Sequence, residues 1–433
     1  MEQIKKIIRR LKSGTLFTSA LFRLARPYFL SERNVFAKQE RRLKHILRNA
    51  QKHIPYYRKL FGKRRGLVLS DFPVVGKELI IPNHGDFCSD RIYRYLHNDA
   101  YTGGSTGEPF HFIVASSYET QFGLRKWQTY GYQQGDRILA MDGTKIEESD
   151  LEKGIYYRKK NDEDIPFGTY ALSSLYLNDS NADAYCEFIK QLDPAFLRGY
   201  PAFVYAVACH AEKTGFALPR GIKGIELTSE TALPHQIEKI AAVFHAPVYL
   251  QYGHTEAIVF AYSFDTTYRY RVEPLYGYVE VLDENGNHVK ENEIGEVVVT
   301  TLHNFAMPLI RYRTGDYAEF GGRDQRYLYL NKVLGRTQDY IWDRDGNKVL
   351  LTALIFGQHN RAMGHIVKWQ LEQFEAGAII VHVIKGDAYS LEDEQELYNM
   401  FSTLGNVHST FHFVDYIALT PRGKSRMLLQ HID

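Results

Sequence analysis

The stretch PVYLQYGHTEA at 247–257 decides the fold. Pro247 opens a short run, VYLQY, that is rich in β-branched and aromatic residues and stops at Gly253. His254, Thr255 and Glu256 follow at once. A buried strand that ends on a polar turn is the pattern of a parallel sheet, whose ligands bind at the carboxyl ends of its strands. The same pattern recurs upstream. AFLRGY (195–200) and IKGIELTSE (222–230) read as strands, as does GDRILAM (135–141). PAFVYAVACHAEKTG (201–215) reads as a helix closed by Gly215, and PHQIEKIAAVF (234–244) as one opened by Pro234. Strands alternating with helices over 170–262 predict an α/β fold with a doubly wound parallel sheet. That architecture puts TSE (228–230) and YGHTE (252–256) at the functional edge.

Beyond 270 the pattern changes. YVEVLDENGNHVKENEIGEVVVTTL alternates apolar and polar residues around Asn285-Gly286, a hairpin signal. AIIVHVIKG (378–386) and LEDEQELYNMF (391–401) predict a strand and an acidic helix. Residues 30–62 read as helix, 66–100 as irregular with short strands, and 116–132 as helix. The chain therefore divides into a basic helical segment (1–65) and a large domain (66–335) with a β-rich, barrel-like subdomain at 270–330. A joint at 336–340 and a small α+β domain (341–433) follow.

A chain of 433 residues is long enough for two or three domains. Cys88, Cys186 and Cys209 lie far apart with no CxxC pair, so neither a disulfide framework nor a cysteine zinc site is suggested, and the pattern fits a reducing cytoplasm. The net charge of +2 conceals an asymmetry: residues 1–65 hold 19 Lys+Arg and 3 Asp+Glu, and the rest of the chain is acidic. In MEQIKKIIRRLKSG, Ile4, Ile7, Ile8 and Leu11 recur at helical spacing among basic residues. Two readings stand: a helix packed on its own acidic body, or peripheral contact of residues 1–30 with the inner face of a membrane. No apolar run approaches the ~20 residues needed to span a bilayer. No nucleic-acid partner is expected.

Five polar clusters carry chemistry. TGGSTG (102–107) offers backbone N–H groups that glycine frees for cradling phosphate, with Ser105 and Thr106 as hydroxyl donors. It lacks the Gly-Lys-Ser/Thr of a Walker A loop, and taken alone reads equally as a surface turn. In QYGHTEA, Tyr252 offers a flat stacking face, Thr255 a hydroxyl donor, and Glu256 a hard oxygen for magnesium. Asp316 in PLIRYRTGD can accept two ribose hydroxyls, or simply cap a turn. Arg336 in GRTQD can hold a phosphate or ribose, or pair at the surface. Lys424 in TPRGKSR is a mobile point charge able to reach a phosphoryl group, or part of a basic tail.

Read in order, TGGSTGEP, LTSE, YGHTE, RYRTGD, GRTQD and PRGKSR resemble the adenylate-forming superfamily over residues 35–430. HIPYYRKLF, LRGYPAFVYAVA, LTSETALP and PLIRYRTGD are similar to the phenylacetate–CoA ligase family, and to its CapK-like, polysaccharide-associated branch. The resemblance implies ATP-dependent activation of a small carboxylic acid, pyrophosphate release, and acyl transfer to coenzyme A or to an amine or sugar hydroxyl. It implies a phosphate loop at Thr102, Gly103, Gly104, Ser105, Thr106 and Gly107. It further implies nucleotide contacts from Ser229, Glu230, Tyr252 and Gly253, with Asp316 and Arg336 at the ribose. Thr255, the Mg²⁺ ligand Glu256 and the mobile Lys424 are the implied catalytic residues, and His254 a substrate contact. Gln338 and Asp339 fall at the implied hinge, where the wider superfamily carries Asp or Lys at the first. A non-catalytic nucleotide-binding protein and a membrane-associated scaffold are the readings from other classes.

Overall fold

The computed structural model of the chain describes residues 34–95, 97–101, 110–115, 119–160, 168–336, 340–350, 361–402, 404, 406–421 and 423–432. Residues 1–30, the loop Thr102–Gly107 and the pair Gln338 and Asp339 lie outside this set, as does the side chain of Arg336. The chain forms two compact units. One comprises residues up to 126 with 251–333, the other 127–250 with 334–433. Each takes its residues from two separate stretches of sequence, so neither coincides with a continuous sequence domain.

In the first unit, the helical pattern at 30–62 resolves into Val35–His53 and Pro55–Phe61. The break falls at Pro55, which has no N–H to give to a continuing helix and instead occupies the first turn of the next. Leu43, Ile46, Leu47 and Ala50 recur every three or four residues and form the buried face of Val35–His53. They join a core with Val272, Val279, Val281, Val297, Val299 and Ile310. Burial of each such side chain contributes about 1.5–3 kcal/mol relative to exposure. Within 66–100, read as irregular with short strands, the strand is His97–Tyr101; upstream of it the chain forms short helices, Lys77–Ile80 and His84–Phe87, with 3-10 turns at Leu69–Asp71 and Ile92–Arg94. Pro73, Pro82 and Gly76 interrupt every run before it reaches strand length, so local turns win.

The β-rich part of this unit follows the alternation at 271–302. Gly277–Leu282 and Ile294–Thr301 pair antiparallel in register Gly277↔Thr301 through Leu282↔Glu296. Gly286 sits at φ +80°, the conformation the turn needs. Ile294–Thr301 pairs on its other side with Tyr312–Arg323. Tyr270–Val272 bridges Leu328–Arg336 and Phe260–Tyr262, and the latter pairs with Gln251–Gly253. A separate hairpin, His97–Tyr101 with His111–Ala115, closes on the pair Tyr101↔His111.

The second unit holds the parallel sheet expected from the alternation. Ile138–Asp142 lies between Tyr170–Ser173 and Phe196–Gly199, parallel to both, and Phe196–Gly199 runs parallel to Gly224–Thr228. Tyr157–Lys159 forms an antiparallel edge. Helices Ala182–Leu192, Pro201–Thr214 and Pro234–Phe244 connect or flank the strands. Pro201 and Pro234 start their helices, and Gly215 ends the first of these two at φ +67°. Tyr130, one of the tyrosines between 118 and 132, stacks face to face on Tyr249, with ring centroids 3.9 Å apart. The C-terminal part is a four-stranded sheet ordered His408–Phe413, Ala378–Lys385, Ile366–Glu375, Leu428–Gln430, with the helix Leu391–Ser402. Among the described residues no helix is long and apolar enough to cross a membrane.

Candidate active site

The described site residues expected from sequence fall into two clusters, one in each unit. The first is built on the end of the strand Val248–Gly253. Tyr252 donates its hydroxyl to Asp316 Oδ2 at 2.8 Å, across 64 residues of sequence. His254 Nε2 lies 2.8 Å from the same carboxylate oxygen and 2.9 Å from the Tyr252 hydroxyl. Its Nδ1 is 3.9 Å from Glu256 Oε2. Glu256 Oε1 accepts from the Tyr312 hydroxyl at 3.2 Å and lies 3.6 Å from Lys77 Nζ. Asp316 and Glu256 are only 7% and 6% exposed, so their charges need these partners to be tolerated.

The local chain explains the convergence. Tyr252, on the core face of its strand, pairs opposite Ala261, which pairs opposite Val272. Asp316 lies in the strand Tyr312–Arg323, its N–H fixed on Thr314 Oγ1, which itself donates to Val297 O. Ala257 and Arg311 hold positive φ, at 54° and 46°. Such backbone strain in ordinary side-chain residues clusters where surroundings over-determine a conformation. Thr255 stays exposed at the turn, and a Cβ at Gly253 would come within 2.7 Å of Gln251 Nε2.

The second cluster gathers around the end of the strand Gly224–Thr228. Ser229 follows it at φ +71°, and its carbonyl accepts from Lys424 Nζ at 3.1 Å. Glu230 Oε1 accepts the N–H of Ser425 at 2.6 Å, and Oε2 the N–H of Ala202 at 3.3 Å. Burial pushes the Glu230 carboxyl up to about 7, against the opposing pull of the two N–H donors, Lys424 and Lys368. Burial also lowers the Lys368 ammonium to about 8, with Glu230 opposing. Lys368 donates to Ile417 O at 2.8 Å.

Several of these participants carry no sequence signal. Lys77 is a lone lysine after a glycine, and Tyr312 lies inside RYRTGD without marking itself as a partner of Glu256. Their roles depend on contacts between positions distant in sequence, 56 residues in the case of Tyr312 and Glu256, that no periodicity records. Among the described residues, no group of three or more His, Cys, Asp or Glu is arranged to hold a metal. A single carboxylate is still the donor set magnesium takes when phosphates supply the remaining oxygens. Glu256 fits that use.

No family model matches the chain. Protein CapK of Staphylococcus aureus is 25% identical over 349 residues, covering 76% of this chain and 74% of that protein. Phenylacetate–coenzyme A ligase of Pseudomonas putida is 23% identical over 339 residues, covering 71% and 72%. A crystal structure of 2-hydroxyisobutyryl-CoA ligase in the postadenylation state, in complex with an acyl-AMP, superposes with a TM-score of 0.67 at 16% identity, covering 90% and 88%. The architecture is therefore the α/β fold of acyl-CoA ligases. The chain is thus similar in sequence to CapK and to a coenzyme A ligase, and it shares the fold of acyl-CoA ligases.

Proposed function

We propose that the chain activates a small carboxylic acid with ATP, forming an acyl-adenylate, and then transfers the acyl group, by default to coenzyme A. The observation that supports this reading is the convergence of Tyr252, His254, Glu256 and Asp316, four motif residues, in one buried cluster. In the first step a carboxylate oxygen of the acid attacks the α-phosphorus and the bond to the bridging oxygen of pyrophosphate breaks. Negative charge gathers on the phosphate oxygens, so the chain's task is positioning and electrostatic stabilisation. Bound Mg²⁺ supplies charge neutralisation on those oxygens, and Glu256 would hold it.

The remaining roles follow from side-chain chemistry. The hydroxyl of Tyr252 is tied to Asp316, which fixes the plane of the ring that would stack on adenine. His254 braces the same carboxylate, so that Asp316 is oriented to accept ribose hydroxyls. Thr255 would donate to the α-phosphate, with Ser229 and Gly253 bordering the nucleotide. Thr102–Gly107 would cradle the β- and γ-phosphates, and Arg336 the ribose or phosphate. Lys424 would neutralise the developing charge. Likeness to two coenzyme A ligases favours coenzyme A as acceptor. Gln338, where the wider superfamily carries Asp or Lys, favours a second reading in which an amine or hydroxyl takes the acyl group.

Incubation with a panel of carboxylic acids is expected to give acid-dependent ATP–pyrophosphate exchange. Folded protein without exchange across a broad panel overturns the reading. Parallel reactions with and without coenzyme A decide the acceptor: a thioester supports the first, an amide or ester formed without it the second.

A further inference from the structure

Lys424 sits on a turn that closes on itself. Thr420 N–H donates to Lys424 O at 2.9 Å, Gly423 N–H to Thr420 O at 2.8 Å, and Lys424 N–H to Thr420 Oγ1 at 3.0 Å. A turn so braced moves as a body, so the position of the ammonium depends on what fastens the turn to the parallel sheet. Besides the bond from Lys424 Nζ to Ser229 O, two hydrogen bonds fasten the turn's backbone. Ser174, just beyond the strand Tyr170–Ser173, donates its hydroxyl to Gly423 O at 2.9 Å. Glu230, just beyond the strand Gly224–Thr228, receives the N–H of Ser425 at 2.6 Å. The fit at the first is close: a Cβ on Gly423 would lie 2.2 Å from Ser174 Oγ and 2.8 Å from Gly143 Cα.

Glu230 does more than accept one bond. Its second oxygen takes the N–H of Ala202, in the first turn of the helix Pro201–Thr214. That N–H belongs to the set that helix geometry leaves without a partner inside the helix, and a carboxylate there also meets the positive end of the helix dipole. The carboxylate therefore joins three elements: a strand end, a helix start and the lysine-bearing turn. Above the raised value of about 7, where the carboxyl is ionised, its hydrogen bonds belong to the stronger class. A carboxylate is also the side chain of this length with two equivalent acceptor oxygens, and the junction uses both.

The geometry points to Glu230 as a positioning residue that latches the Lys424 turn onto the parallel sheet, with Ser174 as the second fastening. The catalytic consequence rests on the proposed role of Lys424 in adenylation; the latch itself does not. In this arrangement the carboxylate of Glu230 is committed to backbone N–H groups of the chain, which departs from the nucleotide contact that resemblance implies for it. Holding the turn places the ammonium over the Tyr200 ring, 5.5 Å from its centroid, and against Ser229 O, instead of leaving it to search on a long flexible stem.

Hydrogen exchange of the segment 418–428 in nucleotide-free, full-length protein tests the latch directly. In Glu230→Gln one acceptor oxygen becomes an amide donor, so protection of the segment is expected to fall by at least about tenfold. Ser174→Ala is expected to reduce it less, and so is Lys424→Ala, which removes the ammonium bond to Ser229 O but leaves both backbone fastenings in place. Protection of 224–228 should persist in each variant, which reports that the sheet is folded. Should Glu230→Gln lose the sheet as well, Ser174→Ala and Gly423→Ala carry the test. Unchanged protection at 418–428 in all the folded variants overturns the latch. The second readout separates positioning from general damage: adenylation should lose kcat with little change in KM for ATP, while consumption of supplied acyl-adenylate is retained. Equal loss of both half-reactions overturns the positioning role. If wild-type protein adenylates no acid, the proposed function fails, and exchange at 418–428 still decides the latch.

Discussion

At the residue scale the two clusters solve different problems. The cluster at the end of Val248–Gly253 shelters two carboxylates. Neither is stranded, because a tyrosine hydroxyl and a histidine nitrogen meet Asp316, and a tyrosine hydroxyl and a lysine meet Glu256. The other cluster presents a lysine on a fixed turn. These differences separate the expected phenotypes. Lys424→Ala should lower adenylation by about 10²–10³-fold, the scale of removing one preorganised charge partner, while supplied acyl-adenylate is still consumed. Undiminished adenylation in that variant would reject the assignment. Asp316→Asn keeps the shape but removes the charge that His254 and Tyr252 address. Its expected signature is a raised KM for ATP, read by steady-state exchange at varied ATP, with the thermal midpoint nearly unchanged. A KM equal to wild type would remove Asp316 from nucleotide binding.

Elements were legible wherever local pattern and tertiary context agree. The helices at 201–214 and 234–244 announce their starts through proline, and the first announces its end through Gly215; the strand between them is a short apolar run. The single helix expected over 30–62 splits because Pro55 outweighs a continuous apolar stripe. The strand expected within 66–100 is His97–Tyr101, and the shorter apolar runs upstream of it form helical turns because they carry no period to read. What the sequence could not convey is which distant elements share a core, as the helix Val35–His53 does with strands near 280 and 298. Close backbone approach is equally invisible beforehand. At Gly277, the first residue of its strand, a Cβ would sit 1.9 Å from Ile258 O and 3.2 Å from Val299 Cγ1. Gly277→Ala must therefore push two pieces of backbone apart, and a loss of about 1–3 kcal/mol or more is expected in denaturant unfolding. Gly286→Ala, at φ +80° with open space around it, should cost only about 1–2 kcal/mol from the conformation itself. Equal effects at the two glycines would contradict the packing at Gly277.

On the scale of the whole molecule, the stability of both units is tied to pH through histidines held neutral. His303, in the first unit, gives one ring nitrogen to Tyr276 O at 3.0 Å. Burial lowers its pKa to about 4, more than the carbonyl raises it, and nearby Arg42 adds to the lowering. His235, in the second unit, packs edge-on against Tyr205, and burial likewise lowers it to about 4. In each case the unfolded chain, with an ordinary histidine near 6.5, binds the proton more readily than the folded one. Stability from these groups is therefore complete above pH ~6.5 and is lost progressively as pH falls towards ~4, on the order of 3 kcal/mol per histidine at the low end. Carboxylates held low by their partners, such as Asp393 at about 2 beside His365 and Ser390, lose their contribution only further down. Acid unfolding between pH 6.5 and 4 should therefore be led by histidine protonation. Urea midpoints measured across that range should decline for the wild type, and His303→Gln and His235→Gln should each flatten the decline while lowering stability at pH 8. A decline of the same slope in the double variant would mean that neither histidine is kept neutral by the fold.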